Sequence, residues 1–169
     1  MAYLQAPPKH GPWHFLRIIF DPHDIPTLPG EDHKQSGLSD SIDRDLNRLY
    51  AGLPALHAGD ADPAGFAWID LHNVDQSVWA FLRRDPATDG AAVVCVFNAT
   101  PVPRDGYWIG VPEPGDYVTI LDTDAPAYGG SGYAKASRFV AEAVPSHGFP
   151  FRLRLALPPL AAVFLRPDR

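Results

Sequence analysis

From Leu38 onward the apolar residues fall into two successive rhythms. Leu38, Ile42, Leu46, Leu49 and Leu53 recur every three or four positions, the period of a helix with one apolar face. The spacing predicts a helix there, with Ser39 as its N-cap and with Asp40 and Asp43 in the first turn, near the positive end of its dipole. An Asp40–Arg44 pair would support it one turn apart, and Gly52 and Pro54 would end it. After Asp62 the rhythm shortens. Phe66–Ile69, Ser77–Arg83, Ala91–Phe97, Tyr107–Ile109, Tyr117–Leu121, Arg138–Ala143, Phe151–Leu157 and Leu160–Leu165 read as strands. Of these, Phe151-Arg-Leu-Arg-Leu-Ala-Leu157 alternates most regularly, as a half-buried strand does. Turn signals separate the runs: Asp89-Gly90, Asp105-Gly106, Pro114-Gly115, Gly129-Gly130 and Pro158-Pro159. Many short strands with closely spaced turns predict a mainly β fold, an antiparallel sandwich preceded by one helix. Residues 1–37 are rich in proline and polar residues, and only Phe15-Leu-Arg-Ile-Ile-Phe20 resembles a strand. The expected division is an irregular segment 1–37, a helix and connector 38–58, and an all-β domain 59–169.

Composition refines this picture little. Hydrophobic residues make up 46% and charged residues 20% of the chain, ordinary values for a globular protein. Nineteen prolines and 14 glycines stand mostly between apolar runs, which suits tight turns between strands. A net charge of -6 without any basic run speaks against a nucleic-acid partner, whose phosphates require clustered Lys and Arg. No apolar stretch is long enough to span a membrane, and the first residues lack the charged start and apolar core of a signal peptide, so the expected location is cytoplasmic. The single cysteine, Cys95, sits mid-run in Ala91-Ala-Val-Val-Cys-Val-Phe97 and reads as a small buried hydrophobe.

The residues that could carry chemistry are few. His10, His14, His23 and His33 lie near Asp21, Asp24 and Glu31, but Pro12 prevents a helix from setting the first two on one face, and solvated loop histidines are expected instead of a metal site. Gly129-Gly-Ser-Gly132 lacks the spacing and the following helix of a nucleophile elbow, so Ser131 reads as part of a flexible glycine loop. No acid pair is placed for glycosyl transfer, and neither cofactor nor metal is expected. Aromatic rings are the remaining candidates, because flat rings stack on sugar faces while their polar tips bond hydroxyls. Trp79, Tyr107, Trp108 and Tyr128 are the expected platform. Trp68 and Trp79 read as core residues on apolar strands, whereas for Trp108, Tyr128 and Tyr133, near turns, core and surface both stay open.

Several motifs in order resemble one family. Asp45-Leu-Asn-Arg-Leu-Tyr50, Pro54-Ala-Leu-His57, Gly65-Phe-Ala-Trp-Ile-Asp70, Gln76-Ser-Val78 and Phe81-Leu-Arg-Arg84 are similar to the bacterial glycogen branching enzymes. So are Phe97-Asn-Ala-Thr-Pro-Val-Pro103, Gly106-Tyr-Trp-Ile-Gly-Val-Pro112, Tyr128-Gly-Gly-Ser-Gly132 and Leu157-Pro-Pro-Leu160. The resemblance implies an enzyme that cuts an α-1,4-glucan and transfers the piece to a 6-hydroxyl, on a (β/α)8 barrel with an Asp nucleophile and a Glu acid/base. The matched part would be the last barrel helix and the C-terminal β-sandwich. The family's catalytic carboxylates lie upstream of it, so none carries over. Met1-Ala-Tyr-Leu4 also resembles the segment before the last barrel strand, but the stretch up to Gly37 departs from the family and lacks its sugar-site residues.

The expected function is therefore a non-catalytic C-terminal domain or remnant of a 1,4-α-glucan branching enzyme. The alternatives are a free-standing module that binds glycogen or amylose, and an interaction subunit for a separate catalytic barrel polypeptide. In the intact enzyme the sandwich would brace the barrel. In this chain the leucine stripe would fold back on the sandwich or stay exposed and drive association.

Overall fold

The computed structural model describes residues 36–88 and 92–169, with side chains of the helix from Ser41 onward. The expected helix is α1, Ser36–Gly52. It starts before the anticipated cap, so Ser39 lies inside it. The Asp40 side chain lies outside the described ones; one turn later Arg48 pairs with Asp45 at 3.0 Å. Gly52 ends the helix and Pro54 opens a single 3-10 turn, Pro54–Leu56, because proline cannot donate the next helical hydrogen bond.

Eight strands follow among the described residues: β1 Phe66–Asp70, β2 Val78–Arg83, β3 Val93–Asn98, β4 Arg104–Val111, β5 Asp116–Asp122, β6 Arg138–Val140, β7 Phe151–Leu157 and β8 Ala161–Pro167. Six form one antiparallel sheet in the order β1-β2-β3-β8-β5-β6, and β4 with β7 forms a second sheet. The last strand is thus inserted between β3 and β5, so the large sheet closes only through the end of the chain. The two sheets face each other. Val78, Ala80, Leu82, Val94, Val96, Val163 and Leu165 from one meet Ile109, Val111, Leu153, Leu155 and Leu157 from the other. Alternation puts every second side chain of each strand into this core, which is the antiparallel β-sandwich expected.

A second cluster occupies the outer face of the large sheet. Phe81, Val93, Cys95, Phe97, Leu121, Ala162 and Phe164 point there, and Leu46, Leu49 and Leu53 of α1 pack onto them. The leucine stripe is therefore folded back on the sandwich. All six residues of β3 are buried because both of its faces are covered, one by the second sheet and one by this outer layer. The connector after α1 is clamped to the sheet by Arg83, which is 1% exposed, pairs with Asp60 and donates to Leu56 O at 3.3 Å.

Three strands differ from expectation: the run Tyr107–Ile109 is the middle of the longer β4, Arg104–Val111, and two others depart in kind. The run Arg138–Ala143 holds only three strand residues, because the chain changes sheets within it. Val140 pairs with Asp116 of β5, whereas Glu142 bridges Arg152 of β7. Leu160 lies in the turn before β8, 70% exposed with φ +48°, and its N–H bonds Thr100 O at 2.8 Å.

Candidate functional site

Strand alternation decides where each aromatic ring goes. Trp79 leaves β2 on the outer face of the large sheet and stacks on Phe97 at 5.5 Å and 10°. Phe97 in turn stacks on Phe81 at 5.7 Å and meets Phe164 edge-on at 6.0 Å. Phe66 and Trp68 continue this ladder onto the edge strand, each in contact with Phe81. Trp68 was expected in the core, yet it is 47% exposed. β1 is the edge of the sheet, and the core-facing residue beside it is Ile69.

Tyr128 joins the same outer layer from the 3-10 turn Pro126–Tyr128 that follows β5. Its hydroxyl donates to Asp45 Oδ2 at 2.8 Å, and Arg48 holds the other oxygen of that carboxylate at 3.0 Å. Burial first, and the Asp45 hydrogen bond next, push the Tyr128 phenol up to about 12. Between α1 and β5 this leaves an open cleft of about 390 Å³, lined by Asp45, Arg48, Leu49, Leu53, Ile120 and Tyr128. Its walls are apolar and its rim carries a carboxylate, a guanidinium and a phenol. Such a mixture suits a ligand with apolar faces and hydroxyl edges. Asp45 and Arg48 were not among the expected site residues. Their traces in the sequence are helical spacing on the polar side of the leucine stripe and their place in the motif Asp45-Leu-Asn-Arg-Leu-Tyr50.

The other two expected platform residues point elsewhere. Tyr107 turns inward and packs against the inter-sheet core. Its hydroxyl donates to Asp70 at 2.6 Å and accepts from Asn73 at 2.6 Å, and burial, reinforced by the Asp70 bond, raises its pKa. Trp108, the next residue, faces out from the small sheet. The Arg152 guanidinium lies 3.7 Å over its ring and Arg154 lies 5.8 Å away. Two hydrogen bonds to Glu142, at 3.1 and 2.9 Å, fix Arg152 in place. The four rings thus occupy three surfaces, and only Trp79 and Tyr128 share one.

The glycine loop is ordered by a carboxylate that sequence reasoning passed over. Asp124 accepts from Ser131 N, Ser131 Oγ and Tyr133 N, each at 2.8 Å. Burial would raise its pKa, but these hydrogen bonds outweigh it and hold the carboxyl below the ordinary range. The Ser131 hydroxyl is consumed by this network. Gly130 sits so close to Asp124 that an added Cβ would lie 2.1 Å from its carbonyl oxygen, so the loop admits no side chain there. Neighbouring Asp122 is shifted up, chiefly by burial, and accepts from Asp124 N at 2.9 Å. Both acids bond the backbone of their own turn. Burial also raises the Cys95 thiol, in spite of the opposing Arg83 charge. Among the described residues no group of three or more His, Cys, Asp or Glu is placed to hold a metal. His10, His14, His23 and His33 lie outside them.

Comparison with known proteins fits this architecture. The family described as alpha amylase, C-terminal all-beta domain, matches residues 68–168. The chain is 50% identical over 137 residues to the 1,4-alpha-glucan branching enzyme GlgB of Rubrobacter xylanophilus, covering 81% of this chain and 19% of that protein. It is also 50% identical over 124 residues to GlgB of Burkholderia vietnamiensis, covering 73% and 17%. The chain therefore spans less than a fifth of these curated relatives. Among solved structures, an inactive double mutant of MutB in complex with isomaltulose aligns with a TM-score of 0.46 at 22% identity, covering 76% of this chain and 17% of that one. The chain belongs to the alpha-amylase C-terminal all-beta domain family and corresponds to the C-terminal part of GlgB branching enzymes.

Proposed function

We propose that this chain acts as the non-catalytic C-terminal domain of a cytoplasmic 1,4-α-glucan branching enzyme, bracing the polypeptide that carries the catalytic barrel. The observation that carries this reading is the half-covered outer face of the large sheet. α1 covers one part of it, whereas Trp68 stays 47% exposed at the edge, in contact with Phe66 and Phe81. Leu71 and Val74, just after β1, are also 46% and 80% exposed. An exposed ring with exposed apolar residues just after it, at one edge of an otherwise packed layer, marks a contact surface. The relatives supply a candidate for it, since most of their length lies outside the matched segment. Transfer chemistry needs two carboxyl groups about 5–5.5 Å apart across a sugar, whereas Asp122 and Asp124 engage their own turn, Asp45 the helix rim, Asp60 and Glu142 nearby arginines, and Asp70 and Asp105 tyrosine hydroxyls.

The test is reconstitution with a separately expressed barrel polypeptide from a relative, followed by new α-1,6 linkages on amylose. The expected result is no branching by the chain alone, branching by the mixture, and weaker complex formation for Trp68→Ala. Branching by the chain alone would overturn the reading, as would a mixture indifferent to Trp68. A second reading, α-glucan binding, is favoured by the cleft at Tyr128, Asp45 and Arg48. Retention on an amylose column that falls for Tyr128→Ala but not for Trp108→Ala would support that site. Equal retention of both variants would sink it.

A further inference from the structure

One end of the inter-sheet core opens into a second hollow of about 570 Å³, which shares no lining residue with the cleft at Tyr128. Its apolar lining comes from Ala64, Pro86, Ala92 and Pro112, and Ala92 is itself part of the inter-sheet core. Arg84 enters from the end of β2. Its backbone N–H donates to Gly65 O at 3.1 Å, which fixes where the side chain starts. Arg83, one residue earlier, is committed to Asp60 and Leu56 O on the outer face. Arg84 is not so matched: its Nε is buried without a hydrogen-bond partner, and among the described residues its guanidinium makes no ion pair or hydrogen bond.

Neither of the described acids that line the hollow, Asp85 and Glu113, supplies the missing acceptor. Asp85 accepts from Ala87 N at 2.9 Å and from Thr88 Oγ1 at 3.2 Å, closing its own turn. Glu113 accepts from Arg169 Nη2 at 2.6 Å. Among the described residues, the Arg84 guanidinium is thus left without an acceptor in a hollow that Arg169 and four apolar residues also line. A buried donor without an acceptor is costly, and the planar fork of arginine matches the two oxygens of a carboxylate or phosphate. We propose that this hollow is a binding site for a small organic oxyanion, held by Arg84 at the charged end and by the Ala64–Pro86–Ala92–Pro112 wall along its body. The proposal is independent of the bracing role, because the exposed ladder around Trp68 takes no part in it.

The test is a heteronuclear NMR titration of the full chain at matched ionic strength, with inorganic phosphate, glucose 1-phosphate and gluconate as separate probes. The expected result is saturable shifts confined to the amides of Arg84, Ala87, Thr88 and Glu113 with at least one probe. Arg84→Gln is expected to weaken binding about tenfold, the loss of one charge-assisted hydrogen bond. Arg84→Lys keeps the charge and retains part of it, and Arg152→Gln on the small sheet leaves it unchanged. A thermal midpoint of Arg84→Gln equal to that of the parent chain shows that the fold is kept. Tighter binding of glucose 1-phosphate or gluconate than of phosphate assigns the organic body to the apolar wall. Shifts that never saturate, that saturate equally in Arg84→Gln, or that favour bare phosphate over both organic anions overturn the proposal.

Discussion

Asp124 shows how one side chain can organise a loop of glycines that has little to hold it. Three donors converge on its carboxylate, and they favour the charged form more than burial disfavours it. Its folded pKa lies below its unfolded value, so it adds stability above the unfolded value that is lost as pH falls through the folded one. Asp122 works in the opposite sense. Burial raises it, so its contribution is present below its unfolded pKa and lost as pH rises through the folded value. Urea midpoints measured between about pH 2 and pH 5 should therefore flatten on the acid side in Asp124→Asn. An unchanged profile would mean the loop does not depend on that charge. Cys95 offers a simpler check. Buried in β3, with a thiol raised by desolvation, it is expected to resist a thiol reagent in the native chain and to react fully in denaturant. Its burial was legible from the apolar run around it. The role of Asp124 was not, because its partners Ser131 and Tyr133 come from the far side of a turn whose path the sequence does not specify.

Among the elements, the period of the apolar residues located α1 and nearly every strand, since burial on one face leaves a repeat that a reader can count. At one run where the pattern misled, a change of sheet was the cause. Arg138–Ala143 looks continuous, but β6 serves the large sheet and Glu142 already bonds β7 of the small one. The connector between α1 and β1 depends on a long-range pair invisible to periodicity, Arg83 with Asp60. Removing the carboxylate by Asp60→Ala leaves the Arg83 charge buried and is expected to cost about 3 kcal/mol, read from denaturant midpoints. A loss below about 1 kcal/mol would show that the pair behaves as a surface bridge instead.

At the scale of the molecule, α1 and the sandwich form one packed body. Leu46, Leu49 and Leu53 cover the same outer layer that holds Phe81, Phe97 and Phe164. Deleting residues 36–52 should therefore expose that layer. The truncated chain is expected to bind a hydrophobic dye and to elute as an oligomer on size exclusion, while the parent does neither to the same degree. Equal behaviour of both would show that the helix contributes little cover. The sequence by itself determined the elements, the sandwich class and the family resemblance, because all three are written in local period, turn residues and ordered motifs. It did not determine which surface each ring would occupy. Tyr107 and Trp108 are neighbours in the chain, yet one faces the core and the other faces solvent beside two arginines. Trp79 and Tyr128 are far apart in sequence, yet they share one face. Strand alternation separates adjacent residues, and only sheet order brings distant ones together. Sheet order here turns on β8 entering between β3 and β5, a pairing that no local pattern in the chain encodes.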